Sequence, residues 1–250
     1  MTTFNASLLN ELKKIISRKK YVVFLILEIA ASVLVAVIGY ALGNASSVPI
    51  TAEAVLTNLP VKMLPFFIQV YIPLIIFMAA CDLYASEVQD GTIRATFMRP
   101  VSRFKQYFSK VTAIFIIAVI YLSVLLVSAA AVKIAGTGSA SGILENFASY
   151  ALDAIPLIVL ILFAATINQF SKSSSLAIVL CIILYIGISA LGIFVPQTSG
   201  LLFTGYLQWH NLWLGIMLPF SAMLAKIAIL VSYGMIFACV GYYLFERKEV

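Results

Sequence analysis

Charged side chains are scarce in this sequence: Asp, Glu, Lys and Arg fill 10% of its 250 positions, where a soluble domain gives them about 25%. Histidine occurs once, at His210, and cysteine three times, at Cys81, Cys181 and Cys239. The cysteines lie in apolar segments without paired spacing, which excludes a zinc ribbon or a disulfide framework and leaves them as small buried hydrophobes. A single histidine, with no cluster of cysteines or acids, offers little to metal or nucleophilic catalysis. No Gly-x-x-x-x-Gly-Lys run occurs, so the chain cannot cradle nucleotide phosphates by that route.

What is present is apolar: 63% of residues are hydrophobic, and the mean hydropathy is +1.08. This is the composition of an integral membrane protein. Sixteen bases against ten acids give a net charge of +6. The bases are interspersed with membrane-length apolar runs instead of lining a polar face, so they speak for membrane orientation and against nucleic acid.

Six apolar runs stand out: Tyr21–Leu42, Val61–Cys81, Val111–Val132, Ala151–Phe170, Leu176–Val195 and Ala225–Leu244. Each has about 20 residues, enough at 1.5 Å per residue to cross a hydrocarbon core of roughly 30 Å. They are continuous and lack the alternation of barrel strands, so they must be helices. The expected fold is an all-α integral membrane protein with six transmembrane helices, in one transmembrane domain over residues 1–250. Ahead of the first run, Phe4, Leu8, Leu12, Ile15 and Ile16 recur at helical spacing beside Lys13, Lys14, Arg18, Lys19 and Lys20. That predicts an amphipathic interfacial helix over 1–20. No small-residue cleavage site follows the first run, so it is expected to be retained.

With the N-terminus cytoplasmic, thirteen of the sixteen Lys and Arg fall on the inside and only Lys62, Lys133 and Lys226 outside. The bias predicts a multi-pass protein of the plasma membrane with both termini cytoplasmic. Glu28, about two turns beyond the basic cluster, is either a functional intramembrane acid or a side chain that faces the bundle interior or pairs with a nearby base at the cytoplasmic edge. Pro65 and Pro73 should kink the second span, their freed carbonyls being satisfied by neighbouring helices. Gly136–Gly142 reads as a flexible external linker, and Asp153 as a solvated acid at a helix start. Residues 196–224 carry no formal charge, but hold Phe203, Tyr206, Trp209, Trp213 and Phe220. They predict external re-entrant short helices whose aromatics form an interfacial belt, with His210 making a polar contact there.

The long polar interruption is Asp82–Lys110, with three acids, five bases, Asp90-Gly91 turn chemistry and a breaker at Pro100. Gly91 permits a chain reversal, and Thr92 can cap a short helix that exposes Ile93, Phe97 and Met98 to a partner's pocket. Arg94 and Arg99 can meet acids around such a pocket. Pro100 ends the helix and Ser102 is placed to cap the next one. Glu87-x-x-x-Gly91-Thr92-Ile93, Arg99-Pro100-Val101-Ser102-Arg103 and Lys110 together resemble the permeases of the ATP-binding-cassette type-2 family. Ile93 stands where that family usually has Leu.

The resemblance implies that 82–110 carries the cytoplasmic coupling helix, with Glu87, Gly91, Thr92, Ile93, Arg94, Phe97, Met98, Pro100 and Arg103 as the residues that meet the ATPase. It also implies a separate cassette ATPase in two copies, which holds ATP and Mg, so that this chain binds no cofactor and is not itself an enzyme. A second permease copy, identical or paralogous, would complete the pathway. Export by a bacterial cell of an amphipathic or hydrophobic cargo, such as a peptide toxin, an antimicrobial or a lipid-like molecule, is the function it implies. A secondary, proton-driven transporter or channel is the alternative, and a membrane-embedded enzyme ranks behind it.

Overall fold

A computed structural model of the chain describes residues 3–45, 58–93, 101–171, 173–213 and 219–248. An amphipathic helix α1 (Thr3–Ile16) is followed by six long apolar ones: α2 (Lys19–Ala45), α3 (Leu59–Gln89), α4 (Arg103–Thr137), α5 (Ile143–Phe170), α6 (Ser174–Phe194) and α7 (Phe220–Glu246). All six are long and apolar enough to cross a membrane, and among the described residues there is no strand. They coincide in order with the six expected runs.

Their ends do not coincide. α3 continues about two turns beyond Cys81, and α4 and α5 begin about two turns before Val111 and Ala151. The polar stretch 82–110 is therefore not one loop, as the sequence suggested; only 90–102 lies between α3 and α4. Hydropathy detects the part of a helix that lies in lipid, whereas the helix itself runs on wherever its polar side chains find partners. Here α1 packs across α4 and supplies them.

α3 is interrupted by two π-helical turns, Phe67–Tyr71 and Cys81–Ala85. Pro65 and Pro73 flank the first. Pro73 has no N–H to return to the preceding turn, and the Tyr185 hydroxyl of α6 donates instead to the Gln69 carbonyl at 2.6 Å. The expected kink is thus a local widening, satisfied by a neighbouring helix.

Ser102 caps α4 as expected, in extended conformation and accepting from the Lys105 N–H at 3.5 Å. At the other end Gly138 takes φ +66° and donates to the Ile134 carbonyl. The Lys133 ammonium then reaches the Ser141 carbonyl at 2.6 Å, so the segment read as a flexible linker is a compact, pinned turn.

α5 is the central helix, buried along most of its length, while α2, α6 and α7 expose most of their apolar surface. α7 approaches α5 closely at Gly241, where a β-carbon would come within 2.3 Å of Tyr107 Oη and 2.8 Å of Thr166 Oγ1. The segment after α6 forms three short helical turns, Pro196–Ser199, Phe203–Tyr206 and Trp209–Leu212. Phe203, Tyr206 and Trp209 are buried in protein, with Phe203 against Phe163, Tyr233 and Phe237. They are core residues, a correction to the belt reading; Trp213 and Phe220 do remain exposed.

Candidate functional site

Where α1, α3 and α4 meet, two acids and one base, Glu11, Glu87 and Lys110, are buried together, and a second base, the partly exposed Lys14, closes the group from the water side. Lys110, 1% exposed, places its ammonium 2.8 Å from Glu87 and 3.3 Å from Glu11, and donates to the Leu83 carbonyl at 2.8 Å. Lys14 reaches the same two carboxylates, at 2.6 Å and 3.0 Å. Burial alone would lower the pKa of Lys14. The Glu87 and Glu11 carboxylates more than offset that and hold it above the ordinary lysine value. The charges balance within the quartet, which is what permits such groups to be buried at all.

A second clamp lies one turn away. Asp82, in the second π-turn, accepts from Arg18 at 2.6 Å, from Lys20 at 2.7 Å and from the Tyr21 hydroxyl at 2.6 Å. Asp82 thereby fixes the corner between α1 and α2 against α3. A wider π-turn presents this carboxylate sideways, off the register an unbroken α-helix would give it.

The segment 90–102 is flanked by side chains that reach two further helices. Gln89 Oε1 accepts the Ser174 N–H at 2.8 Å, capping α6, and the Arg103 guanidinium donates to the Glu246 carbonyl at the end of α7. Beyond α7, the Lys248 ammonium is also buried, and burial together with neighbouring Lys110 lowers its pKa to about 8. A displacement of this loop is therefore felt by α1, α3, α4, α6 and α7 together.

Of the residues the sequence singled out, Glu87 is 6% exposed and belongs to the buried quartet, where it faces the chain's own bases instead of a partner. Gly91 is exposed at φ +67°, the left-handed turn that the Asp-Gly pair predicted. Thr92 is exposed and its hydroxyl donates back to the Glu87 carbonyl at 3.5 Å. Ile93 was expected to stand exposed and is instead buried at 7%, so it anchors the loop. Arg94, Phe97, Met98, Arg99 and Pro100 lie outside the described residues. Sequence reading missed Glu11, Lys14, Asp82 and Gln89 as members of the site, because their partners are distant in sequence.

Away from this face, Glu28 is completely buried and points into the bundle, without the base that the cytoplasmic-edge reading would pair it with. Asp153 is a correction: it is 0% exposed, inside α5, and both of its oxygens serve His210. One accepts the His210 backbone N–H at 2.7 Å, and the other lies 2.7 Å from the ring Nδ1. The pair locks the short turns after α6 to α5. The polar contact expected of His210 is real, but it is internal. Among the described residues no group of three His, Cys, Asp or Glu could hold a metal ion.

A cavity of about 460 Å³ opens between the first π-turn of α3, α6 and the short turns that follow α6. Gln69, Ser189 and Thr204 give it polar points within a wall of Val70, Ile186, Ile193 and Leu202.

No curated protein matches this chain significantly. Residues 7–189 match the family described as ABC-2 family transporter protein. That span runs from α1 through most of α6 and contains the whole charge network except its link to α7. Because the match covers well over half of a chain with six membrane-crossing helices, this protein belongs to the ABC-2 transporter family as a membrane-embedded permease subunit, a kind that works with an ABC ATPase.

Proposed function

We propose that this permease exports an amphipathic or hydrophobic molecule, a peptide toxin, an antimicrobial or a lipid-like compound, across the plasma membrane of a bacterial cell. Both termini and the loop 90–102 are cytoplasmic in this reading, which follows the thirteen-to-three distribution of bases. Two copies of a cassette ATPase, holding ATP and Mg, dock on the loop through Arg94, Phe97 and Met98. Two permease copies, identical or paralogous, enclose the pathway between them.

The observation that carries the reading is the attachment of the loop. Its two flanks, α3 and α4, are bonded to each other through Glu87 and Lys110 and, through Glu87, Gln89 and Arg103, to three other helices. A push by an ATPase at 90–102 is then delivered to the bundle as a rigid-body displacement and not absorbed by a slack connection. The cavity at the first π-turn supports the cargo class, since an apolar wall with a few polar points suits an amphipathic molecule better than a sugar or an ion.

The test is a pair of substitutions in the loop. Gly91→Pro demands a negative φ where the chain takes +67°, and Phe97→Asp puts a charge into the docking surface. Both variants should insert and purify like the parent. Substrate-stimulated ATP hydrolysis by the reconstituted complex should fall at least roughly tenfold, the equivalent of about 1.4 kcal/mol of lost coupling. Unchanged stimulation in both would overturn the docking assignment.

A further inference from the structure

The network described so far leaves one buried acid without a task. On α2 the buried side chains are Tyr21, Glu28, Ser32 and Ala36, a single stripe turned toward the bundle, while Val22, Ile26, Ile29 and Val33 around it are exposed. Glu28 is 0% exposed, and among the described residues neither carboxyl oxygen has a hydrogen-bond partner. The groups within electrostatic reach are the hydroxyls of Tyr71 on α3, Tyr121 on α4 and Tyr150 on α5.

None of those hydroxyls serves it. Tyr71 donates to the Phe24 carbonyl at 2.5 Å, Tyr121 to the Tyr21 carbonyl at 2.7 Å and Tyr150 to the Pro60 carbonyl at 2.9 Å. Ser32, one turn on, gives its proton to the Ile29 carbonyl. The nearby acid Asp153 is engaged with His210, and the basic side chains at the cytoplasmic end of α2, Arg18 and Lys20, are engaged with Asp82. An ionised carboxylate with no donor, in surroundings of aliphatic and aromatic side chains, is far costlier than the neutral acid.

We infer that Glu28 is an intramembrane proton-binding site whose proton is held while α2 lies against α3 and α4, and released when that seam opens to water. The linkage runs in one direction. The closed seam binds the proton more tightly than the open one, so acid favours the closed arrangement and rising pH favours the open one. Between the two ionisation points, the open-to-closed ratio changes on the order of tenfold per pH unit for one proton. The inference concerns the permease bundle alone and does not depend on the cargo, the direction of transport or the ATPase docking proposed above.

The experiment uses the full chain in lipid nanodiscs. Infrared difference spectra of the parent and Glu28→Gln at pH 7 should show a protonated carboxylic-acid carbonyl band that the variant loses. Identical spectra would refute the site. Spin labels at the exposed positions Val33→Cys and Ser123→Cys, with the exposed Cys239 replaced by Ser, then report the seam between α2 and α4. In the parent a longer-distance population should grow with pH, and in Glu28→Gln the distances should stay short at every pH. A carboxylic-acid band accompanied by distances that ignore pH would refute the coupling. Should Glu28→Gln not fold, the parent with isotope-labelled glutamate answers the first question: one labelled carboxylic-acid band should be present at pH 7, and its absence there would overturn the proposal.

Discussion

Lys110 holds together three segments that are far apart in the chain. At 1% exposure it serves Glu11 on α1 and both Glu87 and the Leu83 carbonyl on α3, and its ammonium lies 5.7 Å from the Tyr84 ring. Lys110→Met keeps much of the volume but leaves two buried carboxylates to Lys14 alone. Removing one partner of a buried ion pair costs about 3–5 kcal/mol, so the variant's unfolding midpoint in detergent should drop sharply. Adding Glu87→Gln should restore part of the loss, because the uncompensated charge is then gone. A single variant as stable as the parent would mean that the quartet is not structural. Lys110 and Glu87 could be picked out of the sequence as elements of a motif, but their roles could not. Glu11 was not singled out at all within the amphipathic stretch 1–20, and Asp153 looked like a solvated helix-start acid. What made each of them structural was a partner brought close only by tertiary packing, as His210 is to Asp153.

At the scale of elements, the six helices were legible because a lipid-facing backbone has no other way to satisfy itself. Ser102 and Gly91 were legible because capping and left-handed turns depend on local chemistry. The π-turns were not, since nothing in the order of residues says how a helix with two prolines will redistribute its hydrogen bonds. The contact of α7 with α4 and α5 is of the same kind. Gly241 was one of two glycines in an apolar run, yet a β-carbon there would meet Tyr107 Oη at 2.3 Å and Thr166 Oγ1 at 2.8 Å. Tyr107 is fully buried among Tyr84, Phe108, Tyr242 and Phe245, so its ring has little room to withdraw. Gly241→Val should therefore destabilise by about 1–3 kcal/mol from overpacking. The gain in helix propensity over glycine, below about 1 kcal/mol, does not offset that. Gly234→Val is the control, because its nearest neighbour, a Val159 methyl group, lies at an ordinary 3.7 Å. Equal thermal stability of the two variants in detergent would show that the α7 contact yields easily.

For the molecule as a whole, the unsettled surface is the apolar one. α2, α6 and α7 expose Val37, Ile186, Ile193, Val231, Met235 and Ile236. Lipid can cover any of these, and composition alone does not tell a lipid-facing stripe from one that meets a second copy, since both are apolar in a bilayer. The cavity at the first π-turn breaks the tie. It has α6 for one wall, with Tyr185, Ile186, Ser189 and Ile193 on its lining, and no residue of α7. A cargo path between two permease copies therefore requires α6, and not α7, to line the two-fold contact. Single cysteines introduced as Ile186→Cys on α6 and Met235→Cys on α7, in a background with Cys239→Ser, put this to a direct test. Both positions are exposed in the isolated chain, at 59% each. Mild oxidation of membranes should convert the Ile186→Cys protein to a disulfide-linked dimer and leave the Met235→Cys protein monomeric. If only the α7 cysteine cross-links, the two-fold contact lies on the opposite side of the bundle and the cavity opens to lipid.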